Sequence, residues 1–223
     1  MSPAASPAPR QRRKQARPGE LLDAALELFV EKGYAATRVE EVAARAGVSK
    51  GTLFLYFASK EELFKAVVRE NITGHLDDWN QELDSFEGTS AELVRYGLHS
   101  WWERLGMTPA SGITKLIMSE ARNFPEIAAF YQKEVIEPGD RLLRRLLQRG
   151  IDRGEFRPLN LDQAVYSLIA PMIFLLMWKH SLGMCLTADQ QLDPVAFLDN
   201  QVDLLLHGMH RHENGSEWKP APR

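Results

Sequence analysis

The stretch VSKGTLFLYF, residues 48–57, follows a glycine and ends in five consecutive apolar or aromatic residues. Ser49 is a favourable N-cap for a helix that begins at the next residue. Val48, just before this cap, is placed to pack against Leu53 one turn into the helix. We therefore predict a short helix here rather than a β-strand, and its several apolar faces need a partner.

A second short helix is predicted immediately upstream. Thr37 and Glu40 have the spacing of a capping box that would open it, and Gly47 would end it. The core-facing stripe of this helix is small and consists of Val39, Val42, Ala43 and Ala46. Two short helices joined by a three-residue turn that contains glycine are the ingredients of a helix-turn-helix.

The second helix of this unit has an outward face that is unusual for a solvated surface. At about 100° per residue, Leu53 and Phe57 share the inward face. The outward face and its flanks carry no charge and hold Gly51, Thr52, Phe54, Leu55 and Tyr56. Such a face fits a DNA groove, where Lys50 and Thr52 can reach base edges or phosphates and Leu55 a thymine methyl. A protein-binding patch is the alternative.

The charge of the chain is divided unevenly along its length. Residues 1–60 carry a net charge of +4 and residues 61–223 a net charge of −7. A basic N-terminal part on an acidic body indicates a polyanion as the partner of the first part. Residues 1–17 are predicted to be a disordered basic tail, which either lies along the DNA or takes no part in binding.

The whole sequence predicts an all-α protein of about nine helices. The first helix begins near Pro18, has an apolar stripe and ends at Gly33. Ser59 and Glu62 form a second capping box, which opens a long fourth helix that continues to about residue 84. Later helices are predicted near residues 90–106, 111–122, 126–153, 161–183 and 193–209, with a kink or break at Pro138-Gly139.

Within residues 20–65 the chain reads G-Y-x-x-T-R-V-x-x-V-A-x-x-A-G-V-S-K-G-T-L-F-x-Y-F-x-S-K-E-E-L-F. This long, ordered pattern resembles the DNA-binding domain of the TetR family of transcriptional regulators. The resemblance implies a three-helix helix-turn-helix domain at residues 18–65. It further implies a larger helical domain for effector binding and dimerisation at residues 66–209, followed by a polar tail at residues 210–223.

The same resemblance implies which residues meet DNA. The expected DNA-binding residues are Thr37, Arg38, Ser49, Lys50, Gly51, Thr52, Phe54, Leu55, Tyr56 and Lys60. Of these, the base contacts are expected mainly from Lys50, Gly51, Thr52 and Leu55, and backbone contacts from Thr37, Phe54, Tyr56 and Lys60. Position 54 is commonly a tyrosine in the family, whose hydroxyl meets a phosphate. Phe54 lacks that hydroxyl, so one phosphate contact is expected to be weaker.

A module of this size reads only a few base pairs, so a two-fold homodimer on a pseudo-palindromic operator is expected. By resemblance, the last two helices would form the dimer interface. Its expected residues are Leu168, Met172, Leu175, Leu176, Val195, Leu198, Val202, Leu205 and Met209. The alternative is that these side chains fill the core of one chain, and both can hold in part.

The middle helices are rich in large aromatic and methionine side chains, which together suit a cavity for a small apolar or aromatic effector. The candidate effector residues are Trp101, Trp102, Met107, Met118, Phe124, Phe130, Tyr131, Tyr166, Phe174, Met177 and Trp178. Each of them taken singly is more typical of a core. We interpret the chain as a repressor that such an effector releases from its operator, with activation as the alternative.

Other classes of protein are disfavoured by the sequence. It contains no Gly-rich phosphate loop, no nucleophile elbow and no Cys/His spacing typical of a metal site, so neither an enzyme nor a metal or other cofactor is expected. His207, His210 and His212 are close in sequence but are more typical of a solvated helix end. The apolar run at residues 164–178 is short for a membrane span, and a secretory signal peptide is not evident, so a cytoplasmic protein is expected.

Overall fold

The computed structural model of the protein describes residues 18–187 and 190–209, which contain helices and turns but no β-strand. The α-helices are α1 (Pro18–Ala36), α2 (Val39–Arg45), α3 (Lys50–Tyr56), α4 (Lys60–Asn71), α5 (Leu76–Ser85), α6 (Ser90–Trp101), α7 (Ser111–Glu120), α8 (Pro125–Tyr131), α9 (Glu137–Asp152), α10 (Leu161–His180) and α11 (Pro194–Met209). The predicted all-α fold is confirmed. The predicted tails, with His210 and His212, lie outside the described residues.

The helix-turn-helix unit does not have a core of its own. Phe29 and Tyr34 of α1 pack against Phe64 of α4, with ring centroids 5.3 and 5.4 Å from that ring. The same apolar cluster continues through Ile113 of α7 and Ile127 of α8, both fully buried. Because the core crosses from α1 to α8 without interruption, α1 is joined directly to the body of the protein. The domain boundary after residue 65 stays a prediction and falls inside α4.

The start of α2 differs from the predicted capping box of Thr37 and Glu40. The N-cap is Arg38, whose backbone N–H lies 3.4 Å from the Glu41 carboxylate. The Thr37 hydroxyl is buried and lies 3.1 Å from the carbonyl oxygen of Leu28 and 2.7 Å from that of Gly33. The prediction was wrong by one residue, because this hydroxyl bonds to carbonyls of α1 and not to an N–H of α2.

The predicted long fourth helix is two helices. Ile72 leaves helical geometry at φ −123° and ψ −60°, and a 3-10 turn at Thr73–His75 separates α4 from α5. The side chains of Asn71 and Thr73 bond back to the carbonyls of Val67 and Arg69, at 2.9 and 3.1 Å. Such local bonds compete with helix propagation, which the apolar stripe alone does not reveal. At the start of α4, the Ser59 hydroxyl accepts from the Glu62 N–H at 3.1 Å, which is one of the two bonds of the predicted capping box.

The break predicted at Pro138-Gly139 takes another form. A π turn at Gln132–Ile136 joins α8 to α9, and Pro138 lies in the first turn of α9. Proline cannot donate to the carbonyl four residues before it, and a wider turn accommodates the missing bond. The second π turn, at Trp102–Gly106, extends α6.

The body is organised around α10. Leu168 packs with Leu147 of α9 and Val202 of α11 in one buried cluster, and Leu176 packs with Trp102 in another. In the described part of the chain, residues 161–185 alone are long and apolar enough to cross a membrane by length and composition. Only 28% of the most apolar window in this segment is buried within the chain. The large apolar side chains of α10 that are exposed are Tyr166 and Phe174.

Candidate nucleic-acid interface and internal cavity

The turn between α2 and α3 fixes the angle between these two helices. Gly47 has φ +75°, a backbone conformation that favours glycine, and the Val48 N–H donates to the Ala43 carbonyl at 2.9 Å. The Ser49 hydroxyl accepts from the Thr52 N–H at 3.1 Å, so the predicted N-cap is confirmed. Leu53 and Val48 are both buried in the N-terminal core. The chain therefore holds α3 firmly across α2.

The outward face of α3 is apolar and exposed. Leu55 is 83% exposed, and Phe54 and Tyr56 are 41% and 45% exposed. Gly51 is also exposed, whereas Thr52 is half-buried, with its hydroxyl 2.9 Å from that of Ser49. A solvated helix gains nothing from such side chains, so this face is suited to a partner that covers it.

Lys50 forms an ion pair with Glu40, a residue that the sequence pattern had assigned to a capping box. Its Nζ lies 2.6 Å from Oε1 of Glu40 in α2 and 5.6 Å from the centroid of the Phe54 ring. The hydrogen bond from Lys50 holds the pKa of the Glu40 carboxyl below its usual range. This pair is not evident from the sequence, because the nine intervening residues include a turn and no periodic spacing connects the two positions.

Two residues that were predicted to contact DNA, Thr37 and Lys60, have side chains that bond to carbonyl oxygens near the end of α1. Thr37 is only 1% exposed, so its hydroxyl is not available to a phosphate, which corrects that prediction. The Lys60 ammonium lies within 2.9–3.3 Å of the carbonyl oxygens of Tyr34, Ala35 and Thr37, and burial lowers its pKa. A phosphate contact from Lys60 stays a prediction. It would require the ammonium to share its N–H donors between the phosphate and these carbonyl oxygens. Arg38 and Ser49 are exposed.

The body contains a cavity of about 410 Å³ between α5, α6, α7, α9 and α10. Four of the eleven predicted effector residues line it, namely Trp101, Met118, Tyr131 and Tyr166. The other seven, which do not line it, are Trp102, Met107, Phe124, Phe130, Phe174, Met177 and Trp178. Phe124 and Phe130 pack against the N-terminal core, and Phe174 lies against the rings of Trp178 and Phe197 at 5.8 and 5.3 Å.

Several polar groups of the cavity lining are paired with one another or with arginines outside the lining. The hydroxyls of Thr114 and Tyr131 lie 3.0 Å apart and are buried, and burial raises the pKa of Tyr131. The Glu82 carboxylate is 2.7 Å from Arg104, and the Asp140 carboxylate is 2.5 Å from the guanidinium of Arg144. A ligand in this cavity would therefore be apolar along most of its length.

One helix connects the cavity with the helix-turn-helix. Thr114 and Met118 of α7 line the cavity, while Ile113 packs in the N-terminal core. At the end of α7, Oε1 of Glu120 accepts from the Ala35 N–H at 3.1 Å. A displacement of α7 by a ligand would therefore act directly on the end of α1.

A partly buried polar cluster joins the start of α7 to the end of α10. Lys179 donates to the carbonyl oxygens of Gly106 and Thr108 at 2.7 and 3.2 Å. The Ser111 hydroxyl lies 2.7 Å from Nε2 of His180. Burial, and then the charges of Lys179 and Lys115, lower the pKa of His180 to about 4. The imidazole is therefore neutral at physiological pH.

The outer surface of α10 and α11 differs from the predicted interface. Five of the predicted residues are buried in the core of the chain, namely Leu168, Leu175, Leu176, Leu198 and Val202. Their expected role between two chains is corrected, because none is accessible to a second copy. Met172 and Leu205 are half-buried, and the side chain of Met209 lies outside the described part. The exposed apolar residues here are Tyr166, Phe174, Val195 and Leu204.

Comparison with known proteins gives two family matches. Residues 21–67 match the model described as "Bacterial regulatory proteins, tetR family", and residues 88–183 match "Tetracyclin repressor-like, C-terminal domain". The chain is 31% identical over 161 residues to the uncharacterized HTH-type transcriptional regulator YfiR of Bacillus subtilis, which covers 70% of this chain and 75% of that protein.

Two further similarities cover nearly the whole chain. The fatty acid metabolism regulator protein of Bacillus subtilis is 27% identical over 202 residues, which is 88% of this chain and 98% of that protein. The crystal structure of the transcriptional regulator FadR from Bacillus subtilis in complex with stearoyl-CoA superposes with a TM-score of 0.68 at 23% identity. It covers 87% of this chain and 100% of that one.

Proposed function

Because the chain belongs to the TetR family and is a DNA-binding transcriptional regulator, we propose that it is a homodimeric repressor which a long apolar ligand releases from its operator. The observation that carries this proposal is α7, whose residues line the cavity while its end is bonded to Ala35 of α1. The relatives named above are regulators rather than enzymes. We propose accordingly that the cavity binds a ligand and does not catalyse a reaction. As a regulator of transcription it acts on DNA in the bacterial cytoplasm.

The proposed DNA contacts come from the exposed face of α3. Lys50, Gly51 and Leu55 face base edges in the major groove, where the apolar side chain of Leu55 suits a thymine methyl. Tyr56 offers a hydroxyl to a phosphate, and Phe54, without one, packs against sugar. Seven residues support this surface by being exposed, namely Arg38, Ser49, Lys50, Gly51, Phe54, Leu55 and Tyr56.

The proposed dimer uses the outer face of α10 and α11. Tyr166 and Leu204 are each 63% exposed, and a second copy of this face would cover them. A dimer of this kind places two recognition helices about 34 Å apart, one turn of the DNA duplex. Leu204→Glu places a charge in this interface and is expected to give monomers and to abolish operator binding. A dimer that survives in size-exclusion chromatography with light scattering would show that the interface lies elsewhere.

The proposed ligand carries a long acyl chain. The cavity is apolar along most of its lining, and its two carboxylates are already paired, so a hydrocarbon chain fits while a charged head group belongs at the rim. The relatives named for fatty acid metabolism, one of them solved with stearoyl-CoA, make acyl-CoA the first ligand to test. The ligand releases DNA only if it binds the non-DNA-binding conformation more tightly.

The test is fluorescence anisotropy on fragments from the upstream region of the gene, at two salt concentrations. We expect specific binding that falls steeply with salt, and release by stearoyl-CoA but not by coenzyme A alone. Octanoyl-CoA tests whether a long acyl chain is needed for release, and free stearate tests whether the coenzyme A head group is needed. Failure to bind any fragment near the gene would refute the regulator, and binding unchanged by every acyl ligand would refute the effector.

A matched pair of variants tests the DNA surface. Lys50→Ala is expected to weaken or relax specific binding and to leave the dimer intact. Lys32→Ala removes the same charge from α1, where Lys32 pairs with Glu41 at 3.1 Å, and is expected to bind the operator like the parent protein. Equal losses in both variants would mean that Lys50 contributes only net charge.

A further inference from the structure

Glu40 is an acidic side chain beside a surface suited to a polyanion. It lies in the first turn of α2 with 53% of its side chain exposed, and its carboxylate is 2.6 Å from the ammonium of Lys50, itself 55% exposed. An exposed ion pair adds little to the stability of a fold. A carboxylate in this place also opposes the approach of phosphates. The pair is therefore better explained by what it does to binding.

The Lys50 ammonium has protein groups on two sides. Glu40 of α2 holds it through the ion pair, and the Phe54 ring of α3 lies 5.6 Å away, within the range of a cation–π contact. A free lysine is a point charge on a flexible stem and pairs with any phosphate within reach. Held in this way, the ammonium stays at the start of α3, between Glu40 and the Phe54 ring.

We propose that Glu40 is a specificity-determining residue of the DNA-binding surface, which positions Lys50 for a base edge and withholds its charge from phosphates. Guanine offers the ammonium two acceptors in the major groove, O6 and N7, without the full negative charge that Glu40 repels. On a sequence without this guanine, the repulsion between Glu40 and the phosphates remains and Lys50 gains no base contact. The affinity for such competing sites is therefore lowered more than the affinity for the operator. The inference rests on the proposed function of α3 as the recognition helix.

The test compares Glu40→Gln with the parent protein on the operator fragment and on a random duplex of equal length. Release of Lys50 to the backbone adds one phosphate contact, which increases the affinity loss between 50 and 200 mM salt by about 3.5-fold. We therefore expect Glu40→Gln to bind the random duplex more tightly at 50 mM salt, to show the steeper salt dependence there and to have a lower ratio of specific to random affinity.

Two controls separate this effect from a change of net charge. Glu31→Gln removes an equal charge from α1, where the carboxylate pairs with Arg45 at 3.0 Å, and is expected to keep the parent salt dependence and specificity ratio. In a Lys50→Ala background, Glu40→Gln is expected to leave the salt dependence unchanged, because no lysine remains to be released.

The outcomes distinguish this inference from the proposed function. If the parent protein binds its operator and Glu40→Gln keeps the parent specificity ratio and salt dependence, the role of Glu40 is refuted while the regulator stands. The same holds if the steeper dependence persists without Lys50 or appears in Glu31→Gln. A parent protein that binds no operator fragment refutes the proposed function, and the role of Glu40 with it.

Discussion

The buried hydroxyl pair of Thr114 and Tyr131 makes a quantitative prediction about the wall of the cavity. The two oxygens lie 3.0 Å apart, and both residues are less than 10% exposed, so each hydroxyl depends on the other. Tyr131→Phe leaves the Thr114 hydroxyl buried without its partner, which costs about 2 kcal/mol of unfolding free energy. For a chain of this size that corresponds to a fall in Tm of about 6 °C. Thr114→Val, which keeps the side-chain shape, is expected to cost a similar amount.

The double variant is the decisive measurement. When both hydroxyls are absent, no buried polar group is left without a partner. We therefore expect the double variant to lose less than about 1 kcal/mol of unfolding free energy, and the double-mutant cycle to give a coupling energy of about 3 kcal/mol. Unfolding by urea, followed by circular dichroism for all four proteins without ligand, provides the values. Losses that simply add would refute the reasoning, because each hydroxyl would then have another partner.

Three further outcomes are expected. Gly97→Ala on α6 should raise stability by about 1 kcal/mol, since its methyl group would lie 3.7 Å from Leu146, an ordinary contact; a lower Tm would contradict this. Thr37→Val should cost about 1–3 kcal/mol and weaken DNA binding, with Thr37→Ser as the control that keeps the hydroxyl. His180 has its pKa lowered from 6.5 to about 4, so only the unfolded state takes up its proton between these values. Stability should therefore fall as the pH is lowered from 6.5 towards 4, and His180→Gln should flatten that part of a urea-unfolding series; an unchanged profile would exclude His180 as the cause.

The helix-turn-helix could be predicted because its signals are local. The turn at Gly47 and the cap at Ser49 depend on residues within one helical turn, and the alternation of buried and exposed faces on α3 follows from helix geometry. The shifted start of α2 could not be predicted in this way. The Thr37 hydroxyl is bonded to carbonyls four and nine residues earlier, which only the folded end of α1 brings within reach.

The cavity and the outer surface were predicted less well, for a common physical reason. Helix α10 is apolar on nearly all sides, so its sequence does not distinguish Leu168, which is buried, from Tyr166, which is exposed. Aromatic residues such as Phe124 and Trp101 have the same chemistry, yet one packs beside α1 and the other lines the cavity. Which face of a helix meets which neighbour is decided by tertiary packing.

The position of α7 between the cavity and α1 constrains how this protein can be adapted to new ligands. Substitutions at Thr114 or Met118 would alter the fit of a ligand and, through the same rigid helix, the resting geometry of the helix-turn-helix. Libraries intended to make a biosensor are better placed on α6 and α9, where Gly97 and Leu142 line the cavity away from α1. Diversity on α7 is suited to a different goal, which is to adjust the background expression of a reporter in the absence of ligand.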